Sequence, residues 1–436
     1  MRVVYSLAVA ISTPFILLYF LLRGFRDRDY LQRWRERFGY VPYPAKPGGI
    51  WVHAASVGEF NAATPLIRSL LESYPDLPVM VTTLTPTGSE RVKHVFGDRV
   101  FHCYIPIDLP VAVSRFLDRL QPRLIIVMET EIWPNLYLQA QRVNIPLVIA
   151  NARLSKRSLK HFQYLPGFVG RVLQSVTWMG AQSTDDKDRL VLCGADKHRT
   201  KTTGNLKFDL DVPSGLEENS AVLRSRWGKH RPVLVAGSTH ETDEQMVIPA
   251  FSQLLQEFPD ALLILVPRHP ERFTRSAQLA KDAGLKTELR SQGESCSEHA
   301  QCFVIDSMGE LLTYYACADV TYVGGSMGDV GGHNALEPAA LGKPVLMGPN
   351  MDNARDIASL LLASNAALQV SNQEEFLQAA EKLLTNDGLR DSMGGTGQDL
   401  VEKNRGALNL TLEAIEGLLK TQQAITPEDM DTVIPG

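Results

Sequence analysis

The stretch IWVHAASVGEF at residues 50–60 decides the fold. It opens with a short apolar run without charge, IWVH (50–53), and small residues then lead into a helical pattern at Glu59. A buried run followed at once by a helix start is typical of a parallel strand and its crossover helix. The stretch therefore predicts a strand–loop–helix unit with Glu59 at the carboxyl end of the strand, where sheets of this kind keep their active sites.

The same alternation continues along the chain on both sides of one polar interruption. The further apolar runs are 78–83, 124–129, 146–151 and 176–182 in the first half, and 232–238, 262–267, 302–307, 319–326 and 344–349 in the second. This pattern predicts an α/β protein with two doubly wound, Rossmann-like domains facing a central cleft. GT-B sugar-nucleotide enzymes, periplasmic binding proteins and two-domain dehydrogenases share that plan, so the fold alone does not identify the activity.

Breaks in the pattern predict where the domains begin and end. The predicted parts are an anchor at 1–22, an N-terminal domain at 23–208, a linker at 209–230, a C-terminal domain at 231–398, a terminal helix at 399–420 and a mobile tail at 421–436. A linker with a short helix is predicted there because the stretch is polar and contains Pro213 and Gly215. The tail is polar, and chain ends are ordered only where they are tied down.

An apolar segment opens the chain. Residues 3–22 read VVYSLAVAISTPFILLYFLL, without a charged side chain, and a helix of about 20 such residues can cross a bilayer. No small-residue cleavage site follows it, which argues against a removed signal peptide. By the positive-inside rule, the arginines that come next predict that the rest of the chain lies on the cytoplasmic side of the membrane. A helix that spans the membrane and a helix that lies on its surface are both open.

Charge divides the chain into a basic and an acidic part. Lys and Arg number 44 against 49 Asp and Glu, yet the net charge is +9 over residues 1–200 and −14 over 201–436. A basic front part predicts an anionic partner, and the apolar segment makes that partner anionic lipid rather than nucleic acid. The five cysteines form no CxxC pair, which favours free thiols in a reducing cytosol.

Acidic and basic side chains follow the strands of the first domain. Glu59 is a candidate catalytic carboxylate, although an acid at a helix start also stabilises the helix dipole. METEIWPN (128–135) places Glu129 and Glu131 after another apolar run, with helix capping as the alternative. Lys207, in TGNLKFD (203–209), comes just before the linker, where a merely solvated lysine is the alternative.

Loops after strands of the second domain suit a nucleotide. LVPRHPER (265–272) places Arg268 ahead of a helix, an arrangement that binds phosphate. SMGEL (307–311) is another strand-to-helix turn with free N–H groups. VGGSMGDVGGHNALEP (323–338) holds five glycines that let backbone wrap a ligand, and Glu337 is placed to accept the two hydroxyls of a ribose. A purely structural glycine loop is the alternative for this last stretch.

Known metal and phosphate fingerprints are missing from the sequence. It has no HExxH, no Walker A loop and no GxGxxG at a first βα turn. The acidic pairs Asp27/Asp29 and Asp209/Asp211 fall beside the apolar segment and in the linker. We therefore expect no metal and no cofactor, and leave the phosphate charge to Arg268 and to helix N-termini.

Taken together, the motifs resemble one family. SVGE, TPTGSE, METEIWPN, NARLS, GNLKFD, STHE, PRHPER, MGEL and GGHNALEP occur in an order similar to that of the Kdo transferases. These are the 3-deoxy-D-manno-octulosonic acid (Kdo) transferases of lipopolysaccharide biosynthesis. The resemblance covers residues 1–420, including the anchor, and leaves out the tail.

The resemblance implies an inverting GT-B glycosyltransferase. Its donor would be CMP-Kdo, and its acceptor the tetraacylated lipid A precursor at the cytoplasmic face of the inner membrane, which receives one or more Kdo units. By motif, Glu59 is carried over as the general base, with Glu129 and Lys207 as transition-state stabilisers. The residues carried over as contacts of CMP are Pro267, Arg268, Met308, Gly309, Glu310, Asn334, Ala335, Leu336 and Glu337. Another GT-B enzyme that uses a UDP-sugar is the alternative.

Overall fold

The chain folds into two units, each built on one parallel sheet. The computed structural model describes residues 1–25, 27–44, 46–210 and 212–424. The first unit takes Met1–Asp209 and the chain from Asn404 onward, and the second takes Leu210–Lys403. Every strand pair in the two seven-stranded sheets is parallel. The predicted fold class, two doubly wound α/β domains, is confirmed.

The first unit places its first and fourth strands side by side at the centre of the sheet. Its strands are β1 (Ile50–His53), β2 (Val79–Thr83), β3 (Phe101–Tyr104), β4 (Leu124–Met128), β5 (Leu147–Ala152), β6 (Trp178–Ala181) and β7 (Thr200–Thr202). Its helices up to this point are α1 (Arg2–Gly24), α2 (Val57–Ser73), α3 (Pro86–Phe96), α4 (Pro110–Leu120), α5 (Pro134–Arg142), α6 (Lys156–Phe162), α7 (Pro166–Gln174) and α8 (Thr184–Leu192). The strand order is β3-β2-β1-β4-β5-β6-β7.

Helices cover both faces of this sheet because its central strands are apolar on both sides. Alternate residues of a strand point to opposite faces. Trp51 of β1 accordingly packs in a core with residues of α4 and α5, whereas Val52 packs in a second core with residues of α2 and α3. All residues of β1, β2, β4 and β5 are buried.

The second unit repeats this plan. Its strands are β8 (Val233–Thr239), β9 (Leu262–Pro267), β10 (Thr287–Leu289), β11 (Cys302–Val304), β12 (Val320–Val323), β13 (Val345–Met347) and β14 (Ala367–Gln369). Its helices are α9 (Leu216–Trp227), α10 (Glu241–Leu254), α11 (Phe273–Asp282), α12 (Leu311–Cys317), α13 (Leu336–Ala340), α14 (Arg355–Ala363), α15 (Gln373–Thr385) and α16 (Asp387–Asn404). The strand order is β10-β11-β9-β8-β12-β13-β14, with β8 and β12 adjacent.

The end of the chain returns to the first unit as a separate helix, α17 (Ala407–Ala424). The single terminal helix predicted at 399–420 is therefore wrong: α16 ends at Asn404, and Gly406 has a φ of 105°, which a helix cannot contain. Ile415 and Leu419 of α17 pack in the core beside α2. Asp209, predicted in the linker, accepts the N–H groups of Gly406 and Leu408 at 2.7 and 2.8 Å and fixes the start of α17.

Two further boundaries can be compared with the sequence. The stretch predicted as a linker contains α9, which packs on α12 within the second unit. The tail predicted from 421 to be mobile lies outside the described residues from 425 onward. Within the described residues, α1 is the one helix that is long and apolar enough to cross a membrane.

Candidate active site

The strand order of the first unit places its candidate residues. In an open parallel sheet, ligands bind outside the carboxyl ends of two adjacent strands whose connections run to opposite sides. Here those strands are β1 and β4, because β1 leads to β2 on one side and β4 leads to β5 on the other. Glu59 follows β1, and Glu129 follows β4 directly. The structure thus brings these two predicted residues to the same edge of the sheet.

Glu59 is a buried carboxylate at the start of α2. Ser56 caps the helix: its Oγ accepts the N–H of Glu59 at 3.3 Å and donates to Glu59 Oε1 at 3.0 Å. Glu59 Oε2 accepts the N–H of Ala55 at 2.8 Å. Only 9% of the residue is exposed. Burial raises its pKa to about 7, and the negative charges of Glu131 and Glu129 act in the same direction, against the opposing hydrogen bonds.

Glu129 begins a strained acidic turn. Its φ is +54°, a left-handed conformation that is uncommon outside glycine and that clusters at functional sites. Its N–H donates to the carbonyl of Ala150 in β5 at 2.8 Å, and this hydrogen bond to the neighbouring strand stabilises the strained conformation. Two residues on, Glu131 has a pKa raised by burial and by the charge of Glu129. The turn therefore presents two carboxylates whose charges reach Glu59.

Lys207 lies on a short turn that packs against α2, the helix that carries Glu59. Buried Asn151, with a φ of +59°, accepts the N–H of Leu206 at 3.0 Å, and Asn205 accepts the N–H of Lys207 at 3.0 Å. Within the part of the chain that the structure describes, the Lys207 ammonium makes no ion pair. The turn thus holds an unpaired, partly buried cation.

His53 and Trp133 were missed by the sequence reasoning. His53, the last residue of β1, is fully buried, and its Nδ1 lies 2.9 Å from Thr82 Oγ1. Burial lowers the pKa of His53 to about 3, so the ring is neutral. His53 Nε2 and Trp133 Nε1 are both buried without a hydrogen-bond partner, and the two rings meet at 6.1 Å. Buried polar atoms without a partner are uncommon, and these two lie close together, at the end of β1 and after β4.

The second unit has the same kind of edge between β8 and β12. The connection from β8 to α10 begins inside β8 at Ser238, which has a φ of +55°, and α10 then starts with His240 as its cap. The loop after β12 begins at Gly324, where a Cβ atom would lie 2.5 Å from the carbonyl oxygen of Ser238. Glycine is therefore required at 324 for the two loops to approach each other.

Buried Asp243 holds these two loops together. Its Oδ2 accepts the N–H groups of His240 and Gly325, both at 2.8 Å. Its Oδ1 accepts the hydroxyl of Tyr322 at 2.7 Å and the N–H of Met327 at 3.3 Å. Asp243 is fully buried, so four donors satisfy a carboxylate that has no contact with water. The glycine loop is thus fixed by α10, a contact that no local motif indicated.

Arg268 lies among three histidines. It follows Pro267, the last residue of β9, and its N–H donates to the carbonyl of Thr239 at 3.0 Å. The His240 ring stacks on that of His333 with 5.2 Å between centroids, and it meets that of His269 at 5.3 Å. Burial lowers the pKa of His333 to about 3 and also lowers that of His240. Arg268 is therefore a cation at this edge, beside the neutral rings of His240 and His333.

The turn predicted at 307–311 offers backbone rather than side chains. Met308 is 49% exposed, and Gly309 has a φ of +92°. Glu310 accepts Arg290 Nε at 2.9 Å and the hydroxyl of Tyr314 at 3.2 Å, so its carboxylate is already engaged. Ser307 Oγ is buried and has no hydrogen-bond partner among the described residues, so the exposed polar groups of this turn are those of its backbone.

The last predicted group lies at the start of α13. Ala335 and Leu336 are fully buried, so only their backbone can meet a ligand. Asn334 Nδ2 donates to Glu337 Oε1 at 3.2 Å, and Asn334 Oδ1 accepts the N–H of Leu336. Glu337 is partly buried, and its charge raises the pKa of Tyr315, on which burial acts most. The structure places all nine predicted nucleotide residues in the second unit, on loops, at a strand end or in the first turn of α13.

A metal site is not visible in the residues that the structure describes. None of their His, Cys, Asp and Glu side chains form a group of three or more that could hold an ion. The chemistry of both edges instead rests on carboxylates, one lysine, one arginine and neutral histidines. That the reaction needs no metal and no cofactor stays a prediction.

Sequence comparison relates the chain to one family. Residues 32–210 match the family described as 3-deoxy-D-manno-octulosonic-acid transferase (kdotransferase). The chain is similar to the 3-deoxy-D-manno-octulosonic acid transferase of Haemophilus influenzae, with 40% identity over 422 residues, 96% of this chain and 99% of the relative. The transferase of the same name from Bordetella pertussis is 35% identical over 433 residues, again 96% and 99% of the two chains.

Comparison with solved structures concerns the fold. The UDP-GlcNAc 2-epimerase from Neisseria meningitidis bound to UDP-GlcNAc aligns with a TM-score of 0.54 at 13% identity, over 85% of this chain and 100% of that one. The C-terminal CMP-Kdo binding domain of WaaA from Acinetobacter baumannii aligns with a TM-score of 0.42 at 30% identity, over 43% of this chain and 99% of that one. The epimerase shares the two-domain arrangement of parallel sheets, in agreement with the GT-B-type fold predicted above.

Proposed function

Because the chain belongs to the family of Kdo transferases, which are glycosyltransferases, we propose that it moves Kdo from CMP-Kdo to the tetraacylated lipid A precursor. We place this reaction at the cytoplasmic face of the inner membrane, with one or more Kdo units added. The first unit would take the lipid acceptor and the second the CMP of the donor. The apolar α1 and the net charge of +9 over residues 1–200 support a lipid acceptor on the first unit.

The observation that carries this proposal is the carboxylate of Glu59. It lies where two adjacent strands diverge, it is buried, and its pKa is raised to about 7 by that burial. A base with a pKa near the working pH is half ionised in the resting enzyme and also basic enough to take a proton. An exposed glutamate with an ordinary pKa would be a weaker base by more than two units.

The proposed step is a single displacement that inverts the anomeric carbon. The oxygen of the acceptor hydroxyl bonds to the anomeric carbon of Kdo, and the bond from that carbon to the phosphate oxygen of CMP breaks. The bonding electrons leave with CMP, and the hydroxyl proton passes to Glu59. Glu129 would stabilise the positive charge that develops at the anomeric carbon, and the unpaired Lys207 would stabilise negative charge.

The proposed donor contacts use charge and backbone. Arg268 would bind the phosphate of CMP, and the exposed backbone of Met308 and Gly309 would bind its base or ribose. Glu337 would accept the ribose hydroxyls, with Asn334 orienting its carboxylate through the 3.2 Å hydrogen bond. Such groups stabilise the leaving phosphate without a metal ion.

Purified protein, CMP-Kdo and tetraacylated lipid A precursor test the proposal directly. Mass spectrometry should show an acceptor heavier by one or more Kdo residues, with one CMP released for each. UDP-sugars in place of CMP-Kdo should give no product. Transfer from a UDP-sugar, or no Kdo transfer by folded protein, would refute the assignment.

Arg268→Ala should weaken the binding of CMP by roughly 10- to 100-fold, because a hydrogen bond to a charged group contributes about 1.5–3 kcal/mol. Isothermal titration with CMP measures this change. Arg226→Ala is the matched control, since Arg226 lies on α9 and pairs with Glu294 rather than facing the β8–β12 edge. Equal CMP affinity in the two variants would show that Arg268 does not bind the phosphate.

A further inference from the structure

α1 contacts the first unit near both of its ends, and one face of the helix is partly shielded from solvent. Its partly or fully shielded positions are 2, 5, 6, 9, 13, 16, 17, 20 and 24, which recur every three or four residues and so trace one helix face. The opposite face is apolar and open to solvent, and its large side chains are Val3, Val4, Leu7, Ile11, Phe15, Leu18, Tyr19, Leu21 and Leu22. The helix therefore has a protein-facing side and an apolar outer side.

The N-terminal end of α1 is held by polar contacts. Tyr5 donates its hydroxyl to buried Asp108 at 3.0 Å. Arg2 Nε and Ser6 Oγ both donate to Asn135 Oδ1 at 3.1 Å. Asp108 and Asn135 are fully buried or nearly so, and Asp108 also accepts two backbone N–H groups at the start of α5. The first two turns of α1 are thus hydrogen-bonded to residues that follow β3 and β4.

The C-terminal end of α1 contacts the same unit. The ring of Phe20 meets that of Trp34 edge-on at 6.5 Å and that of Tyr30 at 6.0 Å. The guanidinium of Arg37, itself buried, lies 4.9 Å from the centroid of Phe20. A helix of 23 residues is about 34 Å long. In a spanning helix the two ends would lie in opposite aqueous phases about 30 Å apart, so they could not both contact one folded unit.

Arginines flank this helix. A groove of about 640 Å³ beside its N-terminal end is lined by Arg2, Arg115, Arg119 and Arg142, with Asp118 as the one acidic lining residue. At the other end, Arg23, Arg28 and Arg35 are exposed. Tyr40 joins the two groups, because Arg115 lies 3.9 Å and Arg35 lies 5.6 Å from its ring centroid. An apolar stripe bordered by cations matches the interface of an anionic membrane, where each such charge adds about 1 kcal/mol of attraction.

We propose that α1 lies in the plane of the membrane, with its apolar outer face among the acyl chains and the flanking arginines on anionic phospholipid headgroups. Its partners on the first unit, Asp108 and Asn135, follow β3 and β4 at the carboxyl edge of the sheet. The helix therefore runs along the edge that carries Glu59 and Glu129. The membrane surface lies beside the catalytic carboxylate, so a lipid acceptor reaches it with its sugar headgroup while its chains stay in the bilayer. Only this last step rests on the proposed function.

The orientation of α1 is tested by a cross-link in membranes. Ser6→Cys with Asn135→Cys, in the full chain bound to vesicles, should form a disulfide on mild oxidation. The matched control, Leu7→Cys with Asn135→Cys, places the first cysteine on the outer face and should not cross-link. The five native cysteines are buried and do not compete. A folded, membrane-bound Ser6/Asn135 variant that fails to cross-link would overturn the proposal.

A second measurement leaves Asn135 intact. Arg2→Cys, which lines the groove on the headgroup side of α1, should react with a membrane-impermeant maleimide from outside when the protein is added to sealed vesicles. Labelling that appears only after the vesicles are permeabilised would show a spanning helix and would overturn the proposal. Neither test uses donor or acceptor, so a failed transferase assay and a failed in-plane helix are told apart.

The lipid preference is tested with vesicles of phosphatidylcholine, pure or with one third phosphatidylglycerol. Arg115→Gln with Arg142→Gln should bind the anionic vesicles roughly 10- to 30-fold more weakly than the unchanged protein, and this gap should close on pure phosphatidylcholine. Arg99→Gln with Lys197→Gln removes the same charge ahead of the amino ends of β3 and β7, at the opposite edge of the sheet, and should bind as the unchanged protein does. Equal losses in the two double variants would show a general charge effect and refute the arginine surface.

Discussion

Glu59→Gln should lower the turnover number by roughly 10²- to 10⁴-fold, the usual contribution of a general base. Glutamine keeps the shape of the side chain and can still accept the N–H of Ala55, but it cannot take a proton from the acceptor hydroxyl. Single-turnover measurements with CMP-Kdo and lipid acceptor give this rate. The affinity for CMP should stay unchanged, because the predicted nucleotide residues lie in the second unit.

The role of Glu59 as a base also predicts the direction in which the rate changes with pH. Burial raises the pKa of Glu59 to about 7, so the carboxylate form becomes dominant as the pH rises through that value. The rate of the unchanged protein should therefore rise between pH 6 and pH 8 and level off above, and the glutamine variant should lose this dependence. Glu72→Gln, on the exposed end of the same helix, should alter neither rate nor pH profile. Near-normal turnover of Glu59→Gln would show that Glu59 is not the base, and Glu129 would then be the candidate.

Stability separates a catalytic role from a structural one. The folded pKa of about 7 exceeds the ordinary value of 4.5, so between these values the folded state holds a proton that the unfolded state releases. The free energy of unfolding must therefore fall as the pH rises across this window. Glutamine does not ionise, so Glu59→Gln removes this fall in the free energy of unfolding. At pH 8 the variant should therefore be more stable than the unchanged protein, on the order of 2 kcal/mol. A variant that is inactive because it is misfolded would instead unfold more easily.

The central strands could be predicted from the sequence, and the edge strands could not. All ten apolar runs correspond to interior strands, and β1 matches its prediction residue for residue. The four strands that the pattern missed, β3, β7, β10 and β14, are the two outer strands of each sheet. An outer strand has a neighbour on one side only and leaves residues of β7, β10 and β14 partly or fully exposed. It therefore needs no continuous apolar run to mark it.

The residues of the candidate site were likewise predicted only in part from the sequence. Glu59 and Glu129 were found because each follows an apolar run, and position after a strand is a local property of the sequence. His53, His240 and Asp243 were not found, because their role comes from contacts between segments far apart in the chain. Asp243 meets Gly325 and Tyr322 across about 80 residues, and no short motif records such a contact. Hydropathy likewise identified α1 but could not tell which of its faces packs on protein.

Asp243→Asn should lower the free energy of unfolding by about 3 kcal/mol and weaken CMP binding together with it. An amide offers one acceptor oxygen where the carboxylate offers two, so its NH₂ group would face the N–H donors of His240 and Gly325 or the donors on the other side. Each buried donor left without a partner costs about 1–3 kcal/mol. Thermal unfolding and CMP titration measure the two effects.

The reason that both effects appear together lies in the position of Asp243 between α10 and the glycine loop. The N–H groups of Gly325 and Met327 are ordered through this carboxylate, and the loop leads into the stretch that carries Asn334 and Glu337. The hydrogen exchange of the Gly325 and Met327 amides should therefore become faster in Asp243→Asn. Tyr322→Phe removes a single donor and should show the same changes at smaller size, whereas Asp282→Asn on the exposed end of α11 should show none. Slow exchange at Gly325 in a destabilised Asp243→Asn protein would mean that the loop is held by other contacts, and the nucleotide site would then not depend on α10.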